Sequence, residues 1–197
     1  MDSPVTDVNA TPKDRVFRAI GRNLVNLQRL EKLLKWLAEL RPLTGKLPEI
    51  QKQLEQRRQS TQRTTLGSVI PLWLETAEGR EPELPSLTNN LDILCSSWLN
   101  IGIPQDVIDQ HAIELDQLLC ERNWFVHHGL AEIDYGSREE CEELLARLDD
   151  HNRLVGKQID FLLPIAKRIT NLHEYFARED TQESIRRELL RESPNDT

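Results

Sequence analysis

The stretch ERNWFVHHGL, residues 121–130, sets an arginine, an asparagine and two histidines within seven positions. These residue types share a chemistry. A guanidinium can hold a phosphate oxygen pair bidentately and stabilise charge that develops on it. An imidazole ordinarily titrates near neutral pH and can carry a proton to or from a reacting oxygen. An amide both donates and accepts, and can orient either group. On a helical wheel of about 100° per residue, the apolar arc centres on Ile108, Leu115, Leu119 and Val126. Arg122 falls inside that arc, between Leu118 and Leu119. Asn123 and His127, four apart, share its edge. Trp124 and His128 lie on the far side, so this helix is predicted to be covered on both sides, by a second layer or a partner chain.

An arginine on an apolar face is costly without a partner. The other misplaced charge is Glu31, four residues after Leu27 and three before Leu34. The expectation is that Arg122 and Glu31 meet where their helices cross. The pair would serve either as a structural salt bridge or as part of a site. The alternative for His127 is equally plain: a histidine on a helix is ordinarily a surface or core-edge group.

Several elements must position these residues. Residues 1–12 are polar and read as a flexible N-terminus. A first amphipathic helix starts near Pro12–Asp14 and runs to about Arg41, with Val16, Ile20, Leu24, Leu27, Leu30, Leu34 and Leu37 on its buried face. Residues 47–63 read as a short, very polar helix. Residues 64–79 read as another, with Thr64 or Thr65 as N-cap and Pro71 as a kink or divider. The segment 79–104 is the least helical, and its residues 86–103 form either a short strand or hairpin, or a packed loop. The motif helix spans 105–130. Ser137 and Glu140 then make a capping box that opens a final helix to about Phe176, bent at Pro164. Residues 179–197 form a charged C-terminal extension. The whole is one all-α domain over 13–178, an up-and-down helical bundle.

Composition narrows the function classes. The chain has 197 residues, enough for one sizeable core, with 38% hydrophobic and 29% charged residues. No run of about 18 apolar residues predicts a membrane span, and the first 14 residues lack the apolar core of a signal peptide. A cytoplasmic protein with no membrane partner is expected. Cys95, Cys120 and Cys141 are odd in number and form no CxxC pair, which predicts buried, reduced thiols and no zinc. The formal net charge of −8 argues against coating nucleic acid broadly, since such binding neutralises phosphates with Lys and Arg. It leaves room for a local basic cleft, and Arg15, Arg18, Arg22, Arg29, Arg57, Arg58 and Arg63 are the residues that could rim one.

Arg122, Asn123 and His127 resemble the Arg–polar–x3–His signature of the HEPN superfamily, the Arg-x4-6-His motif of many prokaryotic toxin and defence ribonucleases. His128 satisfies the alternative spacing. The order of elements is also similar: QRLEKLLKWL on the first helix, then TTLGSVI, then the motif late in an inner helix, then a long last helix. The resemblance implies a homodimer in which two motifs face one cleft, with Trp124 at the contact. It implies endoribonuclease activity on an RNA substrate, without metal or other cofactor, using Arg122 and His127 as catalytic residues aided by Asn123. Glu31 and His128 would support them. It also implies a cognate antitoxin or operon partner. One branch of the family carries a modified tyrosine two residues after the histidine, where this chain has Gly129. The alternative function is a non-catalytic module of the same fold that binds nucleotide or RNA, or acts as a dimeric regulatory protein.

Overall fold

The computed structural model describes residues 10–81, 94–97 and 99–183. The elements run α1 (Pro12–Ala38), β1 (Leu43–Lys46), α2 (Leu47–Arg63), α3 (Leu66–Glu78), β2 (Leu94–Ser97), α4 (Gln105–Trp124), a π-helical turn (Phe125–Gly129) and α5 (Arg138–Ala177). The architecture is an all-α helical bundle. Residues 179–183 are again helical. The expected flexible segment 1–12 lies largely outside the described residues, as does the extension beyond residue 183.

Local chemistry sets the helix ends. Thr11 accepts from the Asp14 backbone N–H, and the Asp14 carboxylate returns a bond to the Thr11 N–H, closing a capping box ahead of Pro12. The second box is only half formed. Ser137 caps Glu140 N–H at 3.3 Å, but the Glu140 carboxylate turns to the Asp134 N–H at 2.9 Å. The α3 helix passes through Pro71 without a break, because Pro71 faces solvent, and ends at Gly79 in the left-handed region (φ 59°). Likewise α5 is a single 40-residue helix that runs through the exposed Pro164.

Burial departs from the helical-wheel expectation in two places. Leu24 is 56% exposed, and Asn23 takes its place in the buried stripe of α1. Val126 is 55% exposed, because Phe125 is the residue that turns inward. A main core joins Leu30, Leu34 and Leu37 of α1, Val69 and Trp73 of α3, Leu115 and Leu118 of α4, and Val155 and Leu162 of α5. A smaller cluster at one end joins Val16, Ala19, Phe125, Cys141, Leu144 and Leu148. The motif sits over this second cluster. The α1 helix packs most extensively along α5, then on α3, while α4 bridges α3 and α5.

The segment 94–97 is a strand, as one of the expectations had it, but its partner is not local. β2 pairs antiparallel with β1, matching Leu43 to Ser97 and Lys46 to Leu94. Cys120 is exposed and Cys141 buried, both as free thiols, so the expectation of burial fails for Cys120. Among the described residues no helix is long and apolar enough to cross a membrane.

Candidate functional site

The stripe Ile108, His111, Leu115 and Leu118 seats α4 in the bundle. Arg122 follows Leu118 by four residues and precedes Phe125 by three, so it continues this stripe at the last turn of α4. A cation there also suits the negative end of the helix dipole. Past Trp124 the ladder widens. Phe125 to Gly129 form a π-turn, with the Leu130 N–H donating to the Phe125 carbonyl at 3.3 Å. Wide turns of this kind underwind the chain, so residues five apart come closer in angle than in an α-helix. Two packing demands hold it open. Phe125 is buried to 6% exposure, with its ring 5.2 Å from the His151 imidazole. Gly129 lies under the Trp124 indole, where a Cβ would come within 2.1 Å of Cζ3.

The structure brings some of the expected residues together and separates others. Arg122 is half-buried and donates from Nη1 to Asn123 Oδ1 at 2.9 Å. His127 and His128 are both exposed, with ring centroids 6.5 Å apart. His128 Nδ1 lies 3.8 Å from the Glu132 carboxylate, an exposed pair one turn along. No hydrogen bond among the described residues joins His127 to Arg122 or Asn123. The amide therefore braces the arginine and does not orient the histidine.

One expected pairing is corrected. Glu31 pairs with Lys35 at 2.6 Å, not with Arg122. It sits at the edge of the apolar face of α1, a third exposed, where a cation four residues on can reach it. Trp124 is partly buried and packs against its own chain. Arg147 of α5 lays its guanidinium 3.3 Å from the indole centroid and holds Glu121 through two bonds, at 2.9 and 3.1 Å.

Behind the motif lies a buried polar pair, Asn23 and His151. Asn23 Nδ2 donates to the carbonyls of Ala19 and Leu148, at 3.0 and 2.9 Å. Those bonds fix the amide, so Oδ1 accepts from His151 Nδ1 at 2.8 Å. The imidazole is thereby held with its proton on Nδ1. Its Nε2 is buried and has no hydrogen-bond partner. Burial pushes the His151 pKa below its ordinary value, while the Leu118 carbonyl and Glu121 act the other way. Spacing puts each residue on a buried face, Asn23 four after Ala19 and His151 three after Leu148 and four before Val155, but does not pair them.

The α1 face at this end of the bundle carries cations. Arg15, Arg18, Ala19 and Arg22, with Leu145 and Asp149 of α5, line a cleft of about 390 Å³. Arg22 pairs with Asp149. Among the described residues no group of three or more His, Cys, Asp or Glu side chains is arranged to hold a metal ion. No family model, curated protein or solved structure matches this chain.

Proposed function

We propose that the chain is an endoribonuclease of HEPN type, acting as a homodimer in a toxin or host-defence setting. The observation that carries this reading is the arrangement of Arg122, braced by Asn123 on the last turn of α4, with the exposed His127 on the π-turn that follows. A guanidinium and a solvent-facing imidazole at one helix end form a minimal kit for phosphodiester transesterification. The Arg15, Arg18 and Arg22 cleft at the same end of the bundle would hold flanking phosphates.

The chemistry follows from the groups. The ribose 2′-hydroxyl gives its proton to His127, and its oxygen attacks the adjacent phosphorus. The bond from phosphorus to the 5′-oxygen breaks, and that oxygen takes a proton from the second imidazole of the dimer. A 2′,3′-cyclic phosphate and a 5′-hydroxyl remain. Arg122 stabilises the charge that builds on the non-bridging oxygens. The reading assigns no step to a cofactor.

The test is cleavage of a mixed RNA pool in EDTA by the purified protein, beside His127→Ala and Arg122→Ala. Cleavage by the wild type alone, leaving cyclic phosphate ends, is the expected result, with both variants still dimeric by light scattering. No cleavage, or equal cleavage by all three, sinks the enzyme reading. A non-catalytic dimeric module then stands in its place, and the net charge of −8 fits best its regulatory form, without a nucleic-acid ligand. Salt-sensitive RNA binding would separate a nucleic-acid module from a regulatory one.

A further inference from the structure

A buried polar pair carries a desolvation cost that an apolar pair of the same shape does not. Asn23 of α1 is 4% exposed and His151 of α5 3%. Their neighbours on the same buried faces, Ala19, Leu148 and Val155, are apolar. What the polar pair adds to such packing is direction. Asn23 Nδ2 is committed to the Ala19 and Leu148 carbonyls, so the amide cannot turn over. Its Oδ1 accepts from His151 Nδ1, which fixes both the plane and the tautomer of the imidazole.

The fixed ring supports Phe125. The two ring centroids lie 5.2 Å apart with the planes at 73°, an edge-to-face contact between buried groups. Arg147 precedes His151 by one turn on the same face of α5. Its guanidinium lies 5.7 Å from the centroid of the same phenyl ring. Phe125 thus rests on two α5 side chains, and α1 locks one of them. Phe125 is also the first residue of the π-turn, and its carbonyl accepts the Leu130 N–H that closes it. His127 stands two residues on and is exposed. Its position relative to Arg122 is therefore set by the backbone of this turn.

We propose that Asn23 and His151 are positioning residues of the motif. By fixing the support of Phe125 they hold the π-turn, and through it the place of His127 relative to Arg122. The consequence for catalysis rests on the ribonuclease reading. The consequence for the turn does not.

The experiment replaces the pair together. Asn23→Leu with His151→Phe keeps a ring beneath Phe125 and removes both polar partners at once, so urea should unfold it at nearly the wild-type concentration. Amide hydrogen exchange and RNA cleavage are then compared with the wild type. The Leu130 amide should exchange about tenfold faster or more, while amides in the middle of α4 keep their protection. The kcat should fall about tenfold or more with KM unchanged, because misplaced groups are felt in the chemical step. A purely structural pair predicts wild-type exchange and kcat once stability is retained. Unchanged exchange at Leu130 overturns the proposal, and so does an unchanged kcat in a variant whose turn has loosened. If the wild type cleaves no RNA, the ribonuclease reading fails and exchange at Leu130 alone decides. If the double variant does not fold, the ¹⁵N shifts of the His151 ring in the wild type decide. A single tautomer with its proton on Nδ1 at neutral pH supports the lock, and a ring that averages between tautomers overturns it.

Discussion

The Arg147 guanidinium lies 3.3 Å from the centroid of the Trp124 indole and holds Glu121 by two hydrogen bonds. One α5 side chain thus clamps two residues of the motif segment, Glu121 and Trp124, which flank Arg122. Arg147→Met keeps the hydrocarbon stem and removes the charge. It should cost about 1–2 kcal/mol, a stacked cation plus a half-exposed ion pair. Urea denaturation measures this. A double-mutant cycle with Trp124→Leu should return a coupling of about 0.5 kcal/mol or more; additive losses would mean that the stack contributes nothing.

Gly129 inverts an ordinary helix rule. Replacing glycine by alanine inside a helix normally stabilises by roughly 0.5–1 kcal/mol. Here a Cβ would lie 2.1 Å from Trp124 Cζ3, so Gly129→Ala should destabilise by about 1–3 kcal/mol through overpacking. Trp124→Leu should relieve much of that loss in the double variant. An alanine variant as stable as the wild type would show that the indole moves aside freely.

Glu31 carries a prediction that follows from its true partner. It pairs with Lys35 one turn along α1, with both side chains partly exposed. Glu31→Gln should therefore cost about 0.5 kcal/mol or less. RNA cleavage should be unchanged. A loss of several kcal/mol on thermal denaturation would mean that Glu31 compensates a buried charge.

The misassignment of Glu31 indicates where sequence reading carries and where it fails. Local signals worked well. The polar helix 47–63 has the predicted bounds, and Thr65 and Gly79 delimit α3. Long-range pairing did not come through, because nothing in the residues 43–46 names a partner some fifty positions away. Charges on an apolar face were paired across helices when a local i,i+4 cation was at hand. The π-turn escaped notice as well, since a 100° wheel assumes a regular ladder, and so Val126 was taken as buried. The polar residues of the motif were legible from type and spacing. The buried Asn23–His151 and Trp73–His111 pairs were not, because each joins residues on separate helices.

His111 gives the pH dependence its sign. Burial pulls its pKa down from 6.5 to about 4, opposed by Gln158 and Glu114. Between these two values the unfolded chain binds a proton that the folded chain refuses. Stability therefore rises with pH across that window. The contribution is fully present above pH 6.5 and is lost as pH falls through 4. A shift of this size corresponds to roughly 3 kcal/mol. His151 is shifted in the same direction by burial and adds to the slope. Glu114 acts lower down. Its pKa is held near 2, by Lys157 first, against an ordinary 4.5, so its share is lost only as pH falls from 4.5 toward 2. Urea melts at half-unit steps from pH 4 to 7.5 should show this rise. His111→Gln can still accept from the Trp73 indole N–H, so it should fold and flatten the curve by about one proton's worth between pH 4 and 6.5. An unchanged slope in that variant would mean that His111 titrates in the folded chain as it does in the unfolded one, and that its contact with Trp73 opens readily.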